Sequence, residues 1–244
     1  MSRRDLVERI STTYGITKST IYQWYKGQTP IGRRAGRIVF APELLYVLGA
    51  LLGDGCIYHW RNHFQVWLAG EEAFTVKFAL KLSKCLGREV RHYKYGSKNA
   101  WFVRVDNAEL YFLFQSVRSD RALIRKLVYD VDPANGWLHF IEGFFDAEGC
   151  VKIIRGEERK TPKVCLDFCN TDYELLSLAK QALEEDLGIK AGMSIQRASP
   201  PRKTAWHLRI YSKAGVTKFF EVIHTTKLTE EKRPLVISWL TKSR

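Results

Sequence analysis

The chain has 244 residues, enough to bury a substantial core as one large or two small domains. Its 39 Lys+Arg against 26 Asp+Glu give a formal charge of +13, which points to a polyanionic partner, nucleic acid before an anionic membrane. No apolar run reaches the roughly 18–20 residues of a membrane span, and MSRRDLVERIS at the start lacks the apolar segment of a signal peptide. Five cysteines without a CxxC pair signal neither a disulfide framework nor a zinc knuckle, so an intracellular, reducing compartment is expected.

Asp5 to Gly27 predicts a helix, a glycine turn and a second helix capped at Thr17. That spacing suits a helix-turn-helix with Lys18 near the start of its recognition helix, and it suits a plain helical hairpin equally well. Gly27 to Arg37 reads as a basic linker in which Arg33 and Arg34 are candidates to track phosphates. The expected organisation is an extension over 1–30, a linker over 31–42, and two related halves over 43–133 and 134–244.

The halves are related because two stretches nearly repeat: Tyr46-VLGALLGDGC-Ile57 and Phe140-IEGFFDAEGC-Val151. Each is an apolar run with two small residues four apart (Gly49 and Gly53, Gly143 and Ala147), then an acid, a glycine and a cysteine. The acids, Asp54 and Glu148, are 94 residues apart; Leu86-Gly87 and Leu187-Gly188 differ by 101, and Trp101-FVRV and Trp206-HLRI by 105. The offset grows where polar connectors lengthen one half, at RGEERKTPK and QRASPPRKT, as insertions into hairpin turns would.

Each half predicts the order αββαββα. The motif helix leads through its glycine into one strand, then a second. An amphipathic helix follows, over about 72–86 or 171–187, with natural N-cap chemistry at Asn170-Thr171-Asp172. Two further strands (about 89–95 with 100–106, and 192–198 with 205–212) precede one or two closing helices. Strand alternation sets Trp101, Val103 and Val105 opposite Phe102 and Arg104, and Trp206, Leu208 and Ile210 opposite His207, Arg209 and Tyr211. One face therefore packs on helices. The other carries Gln65, Trp67, Arg104, Gln196, His207, Arg209 and Tyr211, side chains suited to a nucleic-acid platform.

An acid at a helix C-terminus is disfavoured by a few tenths to about 1 kcal/mol. Two at equivalent positions suggest a bound cation. The small residues offer a way for the acids to meet: helices without side-chain bulk on one face can approach closely, which offsets the roughly 1 kcal/mol that a helical glycine costs. Asp54 and Glu148, with the carbonyls of Gly53 and Ala147, would then form a hard oxygen site suited to Mg²⁺. Metals between attacking and leaving oxygens serve phosphodiester cleavage.

The two motifs resemble the paired signatures of single-chain LAGLIDADG homing endonucleases, Glu142-GFFDAEG more closely than Leu52-Gly53-Asp54-Gly55, which has Leu-Gly where the family has Asp-Ala. The resemblance spans about 43–241. It implies an α+β fold of two pseudo-twofold-related units, forming a saddle of two antiparallel four-stranded sheets with the motif helices at the central interface. It also implies an intron-encoded, archaeal or organellar origin, a monomer, Mg²⁺ with Mn²⁺ able to substitute, and a double-strand break in a long asymmetric DNA site. Asp54 and Glu148 would each act on one strand. Family members place a glutamine or lysine near each acid, for which Gln65 and Lys126 are first-half candidates and Lys152, Lys227 and Lys232 second-half candidates. The alternatives are an intron-splicing maturase with intron RNA as partner, or a non-cleaving regulator built on the N-terminal helices.

Overall fold

The computed structural model describes residues 3–14, 17–25, 37–96, 100–154, 162–199, 201 and 203–241; Arg33 and Arg34 lie outside them. The chain divides into two compact units, Met1–Arg37 and Ile38–Arg244. The smaller holds α1 (Arg3–Tyr14) and α2 (Lys18–Tyr25). Thr17 caps α2 as its sequence predicts, its hydroxyl accepting from the Thr20 N–H at 3.4 Å. Lys18 forms an ion pair with Glu8 at 2.5 Å.

The larger unit contains both repeats. The first runs α3 (Pro42–Asp54), β1 (Gly55–Trp60), β2 (His63–Gly70), α4 (Glu72–Leu86), β3 (His92–Lys94), β4 (Trp101–Asp106), then α5 (Ala108–Ser119) and α6 (Ala122–Val131). The second runs α7 (Gly136–Glu148), β5 (Gly149–Ile154), β6 (Lys163–Asn170), α8 (Tyr173–Gln181), β7 (Gly192–Gln196), β8 (Ala205–Ile210), then α9 (Lys213–Val222) and α10 (Lys232–Thr241). The sheets are antiparallel, with matching orders β1-β2-β4-β3 and β5-β6-β8-β7. The expected α+β order is therefore present twice.

Alternation does what the sequence implies. Val66, Leu68, Val103 and Val105 are buried on one face of the first sheet, and Val164, Leu166, Phe168, Leu208 and Ile210 on one face of the second. Burying that much apolar area from both sheets against the helices supplies the main driving force of the fold. Two elements differ from expectation. The helix expected to run to 187 becomes a π-helical turn over Ala182–Asp186 after Gln181. Its start is as expected, Asp172 accepting from the Leu175 N–H at 2.9 Å. Strand β3 is only three residues; it is an edge paired to β4 alone, and exposed, charged Glu89 and Arg91 precede it. Among the described residues no helix is long and apolar enough to cross a membrane.

Candidate functional site

The centre of the larger unit is the seam between α3 and α7, and its closeness depends on the small residues. A Cβ on Gly143 would fall on the Tyr46 carbonyl oxygen and lie 2.8 Å from its carbon; one on Gly49 would fall on the Phe140 carbonyl oxygen and lie 2.9 Å from the Phe144 nitrogen. The two backbones thus touch directly. Toward the C-terminal end, a Cβ on Gly53 would stand 2.5 Å from the Ala147 Cβ and 2.8 Å from the Glu148 Cγ. Gly53 therefore lies against the second acid as well as beside the first.

Both helices end as their acids are reached. The Gly55 N–H donates to Leu51 O and the Gly149 N–H to Phe145 O, with extended backbone at both glycines. Beyond those bonds the Gly53 and Ala147 carbonyls have no intrahelical donor. Asp54 is open to solvent on one side, yet enough protein surrounds its carboxyl to push its pKa up, with Lys227 pulling it back. Glu148, half-buried, is pushed up to about 7, first by burial and then by the Asp54 charge, against hydrogen bonding by Asn170 and the Lys227 charge. The Asn170 amide donates to Glu148 Oε1 at 2.8 Å. Strand register makes Gly70 the first-half counterpart of Asn170, so Asp54 has no equivalent donor there.

Two crowded carboxylates with raised proton affinity carry negative charge that the surrounding protein does not fully offset. That donor chemistry fits a hard divalent cation, which would relieve the repulsion. Among the described residues no group of three or more His, Cys, Asp or Glu could hold a metal. Completing a coordination shell here would take backbone carbonyls, waters or substrate oxygens.

The basic candidates separate clearly. Lys227 is the cation whose charge reaches both acids. Lys152 is tied to Asp167 on the outward sheet face. Gln65 accepts from the Trp67 indole N–H at 3.1 Å. Lys126 is exposed on α6 and Lys232 opens α10; neither contributes to the charge balance at the acids.

Lys227 owes its place to a hub that sequence reasoning missed. Asp146, fully buried in α7, accepts from Tyr46 Oη at 2.9 Å, Lys77 Nζ at 2.7 Å, Thr225 Oγ1 at 2.6 Å and the Thr226 N–H at 2.7 Å. Lys77 also pairs with Glu142 at 2.5 Å and donates to the His224 carbonyl. Burial and the adjacent Asp146 charge hold the Tyr46 phenol protonated far above the usual range. The hub thus joins α3, α4 and α7 to the 224–226 segment, and Lys227 follows immediately, its N–H donating to Thr225 Oγ1 at 3.0 Å. The first motif has Leu52 at the matching position. That mismatch between the repeats was the available signal.

A LAGLIDADG-like domain model matches residues 137–224, most of the second half. I-DmoI, a homing endonuclease, aligns at 20% identity over 75% of this chain and 96% of its own, with a TM-score of 0.55. The second half thus carries a LAGLIDADG-like domain, and the chain as a whole shares the fold of I-DmoI. I-DmoI in complex with DNA and Ca aligns at 18% identity over 80% of this chain and 97% of its own, TM-score 0.55. Full-length WhiA from Thermatoga maritima aligns at 16% identity over 84% of this chain and 63% of its own, TM-score 0.53. At such identities the likeness is one of fold, the LAGLIDADG saddle. An uncharacterized protein of Methanocaldococcus jannaschii is 26% identical over 178 residues, 70% of this chain. The chain spans 59% of that relative's length.

Proposed function

We propose that this protein is a site-specific, divalent-metal-dependent DNA endonuclease that acts as a monomer and makes a double-strand break in a long asymmetric target. The observation that carries the proposal is the meeting of Asp54 and Glu148 at the α3–α7 seam, within reach of the Lys227 charge. A structural helix stop needs a glycine and no acid; paired acids under mutual repulsion lower stability unless something binds them. The surplus of basic residues supports a polyanionic substrate.

Within this site Asp54 and Glu148 would hold Mg²⁺ or Mn²⁺, with the Gly53 and Ala147 carbonyls able to help. The metal would supply a polarised phosphoryl oxygen and a more acidic water. Asn170 fixes the Glu148 carboxylate through Oε1, the oxygen that lies near Gly53 at the seam. Lys227 contributes a positive charge where the attacked phosphate gains negative charge. I-DmoI structures with DNA and Mn, and with DNA and Ca, are in keeping with divalent-metal use on this fold.

The test is a pair of variants on duplex sites selected from a randomised library. Asp54→Asn and Glu148→Gln should keep sequence-specific binding and lose double-strand cutting in Mg²⁺. Undiminished cutting by either variant refutes the site. Specific binding by the natural chain with no cutting under any divalent metal would replace the endonuclease by a DNA-binding regulator.

A further inference from the structure

Strand register equates the outward faces of the two sheets residue by residue. Cys56 faces Trp67 across β1–β2, as Cys150 faces Asp167 across β5–β6. Trp67 then faces Arg104, as Asp167 faces Arg209. The same arginine, at the same point of each face, thus stands on an indole in one half and on a carboxylate in the other.

The two supports differ in kind. The Arg104 guanidinium lies 4.8 Å from the Trp67 ring centroid. Trp67 stacks on Phe102 (5.7 Å between centroids, 19° between planes), and Phe102 continues to Tyr93 at 5.5 Å. Half one therefore presents a row of aromatic faces with an arginine resting on it. Asp167 is 2% exposed and accepts from Arg209 Nε at 3.0 Å, from His207 Nδ1 at 3.1 Å, and from Lys152 Nζ. Arg209 Nη1 reaches Ser194 Oγ at 3.3 Å, and His207 Nε2 lies 2.7 Å from Gln196 Oε1. One buried acid thus anchors the outward Lys152 and Arg209 together with His207, which is itself buried and not on the exposed platform that strand alternation predicts for it.

A guanidinium held through Nε and one side of its fork keeps its remaining donors in a single orientation. The ordering entropy of those donors is spent in folding, and a partner offering two acceptors at the right spacing gains most. Guanine, with O6 and N7 on its major-groove edge, is that partner. Aromatic rings offer no such selection by hydrogen bonds; in the major groove their apolar counterpart is the thymine methyl. An acid on a DNA-facing surface would by itself repel phosphate, but Asp167 is covered by the cations it holds.

Resting on the DNA-binding part of the proposed function, we infer that the two sheet faces specify the two half-sites by different chemistry. Asp167 is a positioning residue that locks Arg209 onto a guanine in the half-site under the second sheet. Trp67, Phe102 and Tyr93 make the other half-site one of thymine-methyl contact.

The full chain is used to select bound duplexes from a randomised library in EDTA, so that preference is read without cutting. The natural protein should return one strongly preferred guanine in one half-site and a thymine preference in the other. Asp167→Asn and Arg209→Lys should each lower that guanine preference by about ten-fold or more, with the thymine half unchanged. Trp67→Ala should relax only the thymine half. Retention of the guanine by both Asp167→Asn and Arg209→Lys, or loss of preference spread evenly over both half-sites, overturns the inference. Separate Mg²⁺ digestion of the selected sites keeps the two proposals apart: sites that are selected as described yet never cut sink the endonuclease and leave this inference standing.

Discussion

Gly143→Ala tests the seam on which the composite site depends. The added methyl would sit on the Tyr46 carbonyl oxygen, 2.8 Å from its carbon and 3.0 Å from the Ala50 nitrogen. All three are backbone atoms of α3, so no side-chain rotation relieves the clash, and the two helices must part by on the order of 1 Å to reach ordinary contact. Overpacking of this kind costs about 1–3 kcal/mol. Parting α3 from α7 also stretches the buried Tyr46–Asp146 hydrogen bond, worth a further 1–3 kcal/mol or so once its partners are left dry. Replacing a helical glycine by alanine returns about 1 kcal/mol. The net expectation is a loss of about 1–5 kcal/mol, read from the urea midpoint of the metal-free protein with its m-value unchanged. Gly192→Ala is the control, since nothing lies within 4 Å of the added methyl. A Gly143→Ala protein as stable as the natural one, or more so, would mean the helix backbones do not touch there.

Asp146→Leu, which copies the residue at the matching position of the first motif, should cost about 3–5 kcal/mol by stranding the Tyr46, Thr225 and Thr226 donors and removing one of the two carboxylates that Lys77 pairs with. Denaturation midpoints measure it, and a neutral result would make the hub dispensable. Glu148 also predicts a pH dependence. Its folded pKa of about 7 lies above the ordinary 4.5, so the native state binds the extra proton and stability falls as pH rises from about 4.5 through 7. At about 1.4 kcal/mol per unit, the loss is at most about 3 kcal/mol and smaller for a carboxyl that solvent partly reaches. Glu148→Gln should therefore stabilise the metal-free protein at pH 8 and much less at pH 5. Equal effects at both values would refute the burial and repulsion assigned to this group.

The repeat, the order αββαββα, the alternating faces and the Asp172 cap are legible in the sequence because each is local: a period of two or of three to four, or a capping residue beside its helix. The closeness of α3 and α7 is nearly as legible, since Gly49, Gly53, Gly143 and Ala147 have few other reasons to recur. The lysines were not. Lys126, Lys152, Lys227 and Lys232 look alike as letters, and what separates them is where the chain after α9 returns. Asp146 sets that return by binding the 224–226 segment from 79–80 residues away in sequence.

Sequence alone thus determined the two halves and the pair of acids, because duplication and local periodicity write themselves into residue order. Tertiary structure decided which lysine's charge reaches those acids. It also decided that equivalent arginines rest on a tryptophan in one half and an aspartate in the other. Both depend on which residues face one another across strands and helices, and residue order carries no record of that until the register is formed.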